Sequence, residues 1–179
     1  PLAAMPVASL TRRSYRTYRR WHQTAPEALP VKGAVTVFAP TSRPAFWQTY
    51  GTDALGLPML SAAQVSEAVR YFAPVFALDQ AGSYDRTGAV VWNGDAPTVE
   101  PARPTVYFYL THAFFQNSPV LQINYVIWFA ERGGQAAPWI EHGNLDGLTV
   151  RVTLDPEGHP VAVDVMNNCG CYYYILPGG

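Results

Sequence analysis

The sequence predicts an α+β domain, mostly antiparallel β-sheet built from hairpins with N-terminal helices packed on one face. Three observations predict it. From Val75 onward the chain is dominated by runs of β-branched and aromatic residues, the composition of half-buried strands. Two of the breaks between those runs, Gln116-Asn117-Ser118-Pro119 and Asp155-Pro156-Glu157-Gly158, are short and rich in turn residues, as hairpins require. The helical patterns lie in the N-terminal part of the chain, ahead of most of the strands, which fits helices packed on one face of a sheet. Residues 1–32 read as a basic helical arm and linker, and residues 33–179 as a single α+β domain.

Residues 9–24 (SLTRRSYRTYRRWHQT) read as a helix with Ser9 or Thr11 at its N-cap, an aromatic edge and arginines over the remaining surface. Pro26 and Pro30 mark a linker. Val31 to Phe38 reads as a strand stopped by Pro40, and a loop rich in Pro, Gly and aromatics follows. A second helix begins at Ser61, where Gln64 three residues later completes a capping box. Its Val65, Ala68, Val69 and Phe72 are spaced for one buried face, and Pro74 ends it. The strands expected beyond are Val75–Leu78, Ala89–Trp92, Thr105–Phe115, Val120–Phe129, Leu148–Leu154 and Val161–Val165.

Hairpin registers follow from matching apolar positions across each turn. With Phe115 opposite Val120, His112 faces Ile123 on the apolar side, while Gln122 and Asn124 share the other side with Thr111 and Ala113. A one-residue bulge would reverse the faces and set His112 beside Gln122. In the second hairpin Leu154 opposite Val161 brings Val152 to Val163, Val150 to Val165, and Arg151 to Asp164 on an exposed polar face. Extended further, this register sets Asp146 opposite Cys169, with His142 not far beyond.

Composition excludes several classes. Of 179 residues 49% are hydrophobic and 14% charged, the opposite of a disordered chain. The longest apolar runs are interrupted well short of the roughly 18–20 residues of a membrane span. Six of the twelve basic residues lie within residues 1–32, leaving six basic and twelve acidic groups for the remainder, a net of −6. The arm is therefore expected to lie back on an acidic body, and nucleic-acid binding by that body is disfavoured because phosphate contacts need clustered cations. No signal-peptide pattern opens the sequence. A processed or fragment chain is expected, its compartment open, an extracytoplasmic one among the alternatives.

The segment Asn167-Asn168-Cys169-Gly170-Cys171-Tyr172 concentrates the chemistry. C-x-C spacing puts two thiols on one side of an extended segment. In one reading the thiols are structural, either buried or joined in a local disulfide. In a second, Cys169 is a nucleophile, His112 or His142 its base, Asp146 the acid that orients the imidazole, and Gln122 an orienting or oxyanion-donating amide. In a third, Cys169, Cys171 and His142 hold a soft metal, zinc or copper; otherwise no cofactor is expected. If no imidazole intervenes, Asp146 is expected to cap the Leu145-Asp146-Gly147 turn. The chain has no G-x-S-x-G, P-loop, dinucleotide fingerprint or H-E-x-x-H.

Asp85-Arg86-Thr87-Gly88, Pro104-Thr105-Val106-Tyr107, the run Leu121 to Phe129 (LQINYVIWF), Leu145-Asp146-Gly147 with Arg151-Val152-Thr153-Leu154, and Cys169-Gly170-Cys171-Tyr172 together resemble an uncharacterised domain of bacterial proteins. The resemblance covers about residues 84–176 and implies a bacterial source but no activity. In that domain a His follows the C-G-C-Y run, where this chain has Tyr173. The functional expectation is a thiol-dependent hydrolase or acyl-transfer enzyme acting on a small-molecule or peptide substrate. The alternatives are a non-catalytic binding or scaffold domain with a structural C-x-C pair, and a small soft-metal site.

Overall fold

The computed structural model describes residues 33–38, 50–132, 142–170 and 172–178. The chain divides between Lys32 and Gly33, and all described residues belong to the second part. The expected basic helix over residues 9–24, its relation to the acidic body, and Cys171 lie outside the described residues.

Among them, β1 (Ala34–Phe38) pairs antiparallel with β4 (Phe76–Gln80), and the two-residue strands β2 (Gly51–Thr52) and β3 (Pro58–Met59) pair with each other. Helix α1 (Ala62–Tyr71) lies between β3 and β4, and β5 (Ala89–Asn93) forms a hairpin with β6 (Ala96–Glu100). The rest is one antiparallel meander of β7 (Tyr107–Phe115), β8 (Ser118–Phe129), β9 (Asp146–Leu154), β10 (Pro160–Asn167) and β11 (Tyr173–Pro177), in the spatial order β11-β10-β9-β8-β7.

The α+β expectation is therefore corrected. The described residues are 56% strand and 10% helical, with a single α-helix and no layer of N-terminal helices on the sheet. That helix starts as its sequence predicts: the Ser61 hydroxyl accepts from the Gln64 amide while the Gln64 side chain accepts from the Ser61 amide. It packs by Ala68, Val69 and Phe72 against Leu121, Ile123, Tyr125 and Ile127 of β8 and Val150, Val152 and Leu154 of β9. The Tyr125 hydroxyl donates to the Val69 carbonyl at 2.8 Å. Ten residues span only about 15 Å, so α1 covers part of this face. Phe76 and Leu78 of β4 and Leu60 cover more of it. No described helix is long and apolar enough to cross a membrane.

The first hairpin is two residues tighter than its sequence predicts. Gln116 and Asn117 alone form the turn, both at positive φ (49° and 63°), as the commonest two-residue hairpin turn requires. Phe115 then faces Ser118 and His112 faces Leu121, in place of Val120 and Ile123. A shift of two preserves the faces, so His112 stays on the core side and away from Gln122. Pro119 thereby falls inside β8, although proline cannot donate to a ladder. In this register its nitrogen points toward β9, whose pairing with β8 begins only at Leu121.

The second hairpin keeps the expected register from Thr153–Ala162 to Leu148–Asn167, including Val152–Val163, Val150–Val165 and Arg151–Asp164. A bulge between Pro160 and Ala162 sets Leu154 against Pro160 rather than Val161. The sequence reading missed β11, although Tyr173-Tyr174-Ile175-Leu176 is strand-forming in composition.

Ile123 is completely buried between α1 and its sheet neighbours, so Ile123→Ala should cost about 2–5 kcal/mol, read as a lower urea midpoint with unchanged m-value. Ser61→Ala removes one side of the capping box and should cost about 0.5–2 kcal/mol; an unchanged midpoint would show that the cap carries no stability.

Candidate functional site

The proposed thiol lies in the turn joining β10 to β11. The Gly170 amide donates to the Asn167 carbonyl (2.8 Å) and the Asn167 amide to the Tyr172 carbonyl (3.1 Å), which closes the turn around Cys169. Gly170, at φ 75°, occupies the left-handed region that favours glycine. Cys169 is exposed and its thiol is free, so the buried-thiol reading does not hold for it.

Arg132, which the sequence reading missed, is the residue that meets this thiol. One guanidinium nitrogen donates to Cys169 Sγ at 3.3 Å and lies 3.5 Å from Asp146 Oδ1. Asp146 Oδ1 also accepts from the Gly147 amide at 2.8 Å, a bond between the first two residues of β9. Arg132 is held in turn by paired backbone bonds with Gly143 (2.8 and 3.1 Å). These continue the β8–β9 register in which Phe129 faces Asp146. That register sets Arg132 opposite Gly143, three residues before Asp146, and its guanidinium reaches back to the carboxylate. A Cβ at Gly147 would meet the side chains of Asn168 and Trp128, so a larger residue there would require them to shift.

The other candidates lie elsewhere. His112, on edge strand β7, has Nε2 2.9 Å from the Pro58 carbonyl, so that nitrogen carries the donated proton. His112 faces Leu121, whereas the Cys169 turn begins beside Gly147, which faces Trp128. Seven residues along β8 amount to roughly 23 Å, far beyond reach of a thiol. Gln122 lies at the same end as His112 but on the opposite face, accepting from Thr111 and donating to Thr153, both at 3.1 Å. His142 is exposed and adjoins Gly143 at the thiol end. Of the three proposed metal ligands, Cys171 lies outside the described residues, and no group of three or more potential ligands occurs among the described ones.

The polar face of the sheet carries a second cluster. Asp164 is only 4% exposed. Its carboxylate accepts from Arg151 Nε (2.8 Å) and from the Tyr173 hydroxyl (2.7 Å). The expected Arg151–Asp164 pair is therefore present but not exposed, because β11 places Tyr173 over it. Burial opposes the Arg151 charge, yet the hydrogen bond and attraction to Asp164 outweigh it and raise its pKa. The hydrogen bond to Asp164, then burial, raises that of Tyr173. Asn124, buried beside this pair, donates to the Thr111 hydroxyl at 3.0 Å. The cluster is internally satisfied.

On the core face a cavity of about 340 Å³ is lined by Val37, Phe76, Leu78, Thr87, Pro104, Thr105, Val106 and Ile127. Its origin is a change of partner along one edge of β8. The β7–β8 ladder ends at Tyr107–Val126. Beyond it the Gly88 amide donates to Trp128, Thr87 faces Phe129, and the Ala130 amide donates to Arg86. Residues 104–106 and 86–88 thus part at Ile127, and the cavity opens in that fork.

No family model, no curated protein and no solved structure matches this chain. The resemblance to a bacterial domain rests on its motifs alone.

The Tyr50 hydroxyl donates to the Asp155 carbonyl at 2.6 Å. Burial, followed by the charges of Asp155 and Glu157, raises its pKa from 10.0 to about 12. A phenol whose folded pKa is raised stabilises the fold below the unfolded value and loses that contribution as pH climbs through the folded one. Wild-type stability should thus fall from pH 10 toward about 12, and Tyr50→Phe should flatten that fall in urea titrations; equal slopes would rule out the assignment.

Proposed function

We propose that this chain is a non-catalytic binding module, with the thiol-dependent hydrolase as the second reading. The observation that carries the first is the separation along β8. The thiol and Asp146 lie at one end with Arg132 between them, while His112 and Gln122 lie roughly 23 Å away. A Cys–His enzyme needs sulfur and imidazole within hydrogen-bond reach. The fork cavity offers what a binding site needs, a concave and mainly apolar space within the usual range of roughly 300–1,000 Å³.

One observation favours the second reading. Gly143, next to His142, pairs with the same Arg132 that meets Cys169, so this imidazole belongs to the thiol end. Under that reading the substrate is a small ester, thioester or peptide.

Hydrolysis of p-nitrophenyl acetate by the purified protein separates the two. The binding reading expects Cys169→Ala and His142→Ala to hydrolyse the ester no more slowly than wild type beyond loss of a simple surface thiol, with no burst and no saturation. Saturable turnover abolished by either substitution, at an unchanged melting temperature, would overturn it.

A further inference from the structure

Resting on the binding reading, we infer that the fork cavity takes one uncharged, apolar molecule of two or three rings, or a hydrocarbon chain of similar bulk. The lining sets the chemistry. Of the eight described lining residues six are apolar, the others are Thr87 and Thr105, and none of these eight is ionisable. The Thr105 hydroxyl already donates to the Arg103 carbonyl at 2.9 Å, leaving the Thr87 side chain as the polar feature nearest the floor. A charged group inside would lose its hydration without a counter-charge, at a cost of several kcal/mol or more. A ligand for this site is therefore uncharged and mostly apolar, and Thr87 offers one place for a neutral polar atom.

The walls define a floor and a mouth. Ile127 is 3% exposed and Phe76 7%, with Thr87 equally buried, whereas Val106 is 43% and Val37 60% exposed. A packed floor beneath an exposed apolar rim lets a ligand enter without opening the core. Size follows from volume: an apolar cavity of about 150 Å³ holds benzene, and this one measures about 340 Å³. A monocyclic ligand would leave much of the space unfilled and would forfeit dispersion contacts.

The site exists because of the exchange at Ile127. Were β7 to continue in register, Val106 would face Ile127 and close the gap. Pro104, and the bonds from 86–88 that occupy the next stretch of β8, turn residues 104–106 aside.

The test uses N-phenyl-1-naphthylamine as a fluorescent reporter, displaced by biphenyl and by biphenyl-4-carboxylate, the same shape with a charge. Expected are one reporter site per chain, displacement by biphenyl, and displacement by the carboxylate weaker by about tenfold or more. Val106→Trp and Val37→Trp, which narrow the mouth from opposite sides, should each weaken reporter binding by about tenfold or more. Trp92→Ala, at an exposed position on the β5 hairpin, should leave it unchanged, and melting temperatures identify any variant that has lost the fold. Absence of saturable binding to wild type, equal displacement by both competitors, or unaltered binding to whichever mouth variants fold would overturn the inference. Reporter binding as expected, together with Cys169-dependent turnover, would overturn the binding-module reading and leave the cavity's ligand class intact.

Discussion

β8 has hydrogen-bonding neighbours along both edges and packed side chains on both faces, and the rest of the described fold is arranged around that double demand. Its core face, Leu121, Ile123, Tyr125 and Ile127, takes α1, β4 and the facing residues of β9. Its other face is also buried but holds Asn124 and Gln122, whose amides would be costly there without partners. The hydroxyls of Thr111 and Thr153 on the flanking strands supply those partners. Antiparallel sheets commonly leave one face to water. Here the second face is buried too, with Val120 and Val126 beside the hydrogen-bonded amides of Gln122 and Asn124.

The same requirement accounts for Asp164. A carboxylate on a buried position must be paired, and the meander provides two donors from different directions, Arg151 on β9 and Tyr173 on β11. Two ladders and one side-chain cluster thereby tie the last three strands together.

Edge bonding along β8 also decides where a ligand site can form. The strand is twelve residues long and β7 only nine, so one partner cannot serve the whole edge. Residues 86–88 satisfy the remainder. Because that substitute arrives from another part of the chain, its side chains do not interdigitate with those preceding β7, and space remains at the change of partner. The length of β8 bears on the thiol as well, since it holds the turn of Cys169 and the edge carrying His112 at opposite ends of the sheet.

Local patterns in the sequence determined a good deal: the capping box at Ser61, the strand character of β7 to β10, and the Arg151–Asp164 pairing, each of which depends on residues close together or joined by one short turn. The choice of face for His112 was legible for the same reason, since a register error of two leaves alternation intact. Tertiary structure decided the rest. Whether a polar pair is exposed depends on a strand added later, β11 over Asp164. Whether Cys169 meets an imidazole or a guanidinium depends on the pairing of β8 with β9 across the long segment between them, which no turn signal announces. The cavity depends on two segments competing for one strand edge. Short-range periodicity specifies which side a residue faces, but the neighbours on that side are specified only when distant strands commit their hydrogen bonds.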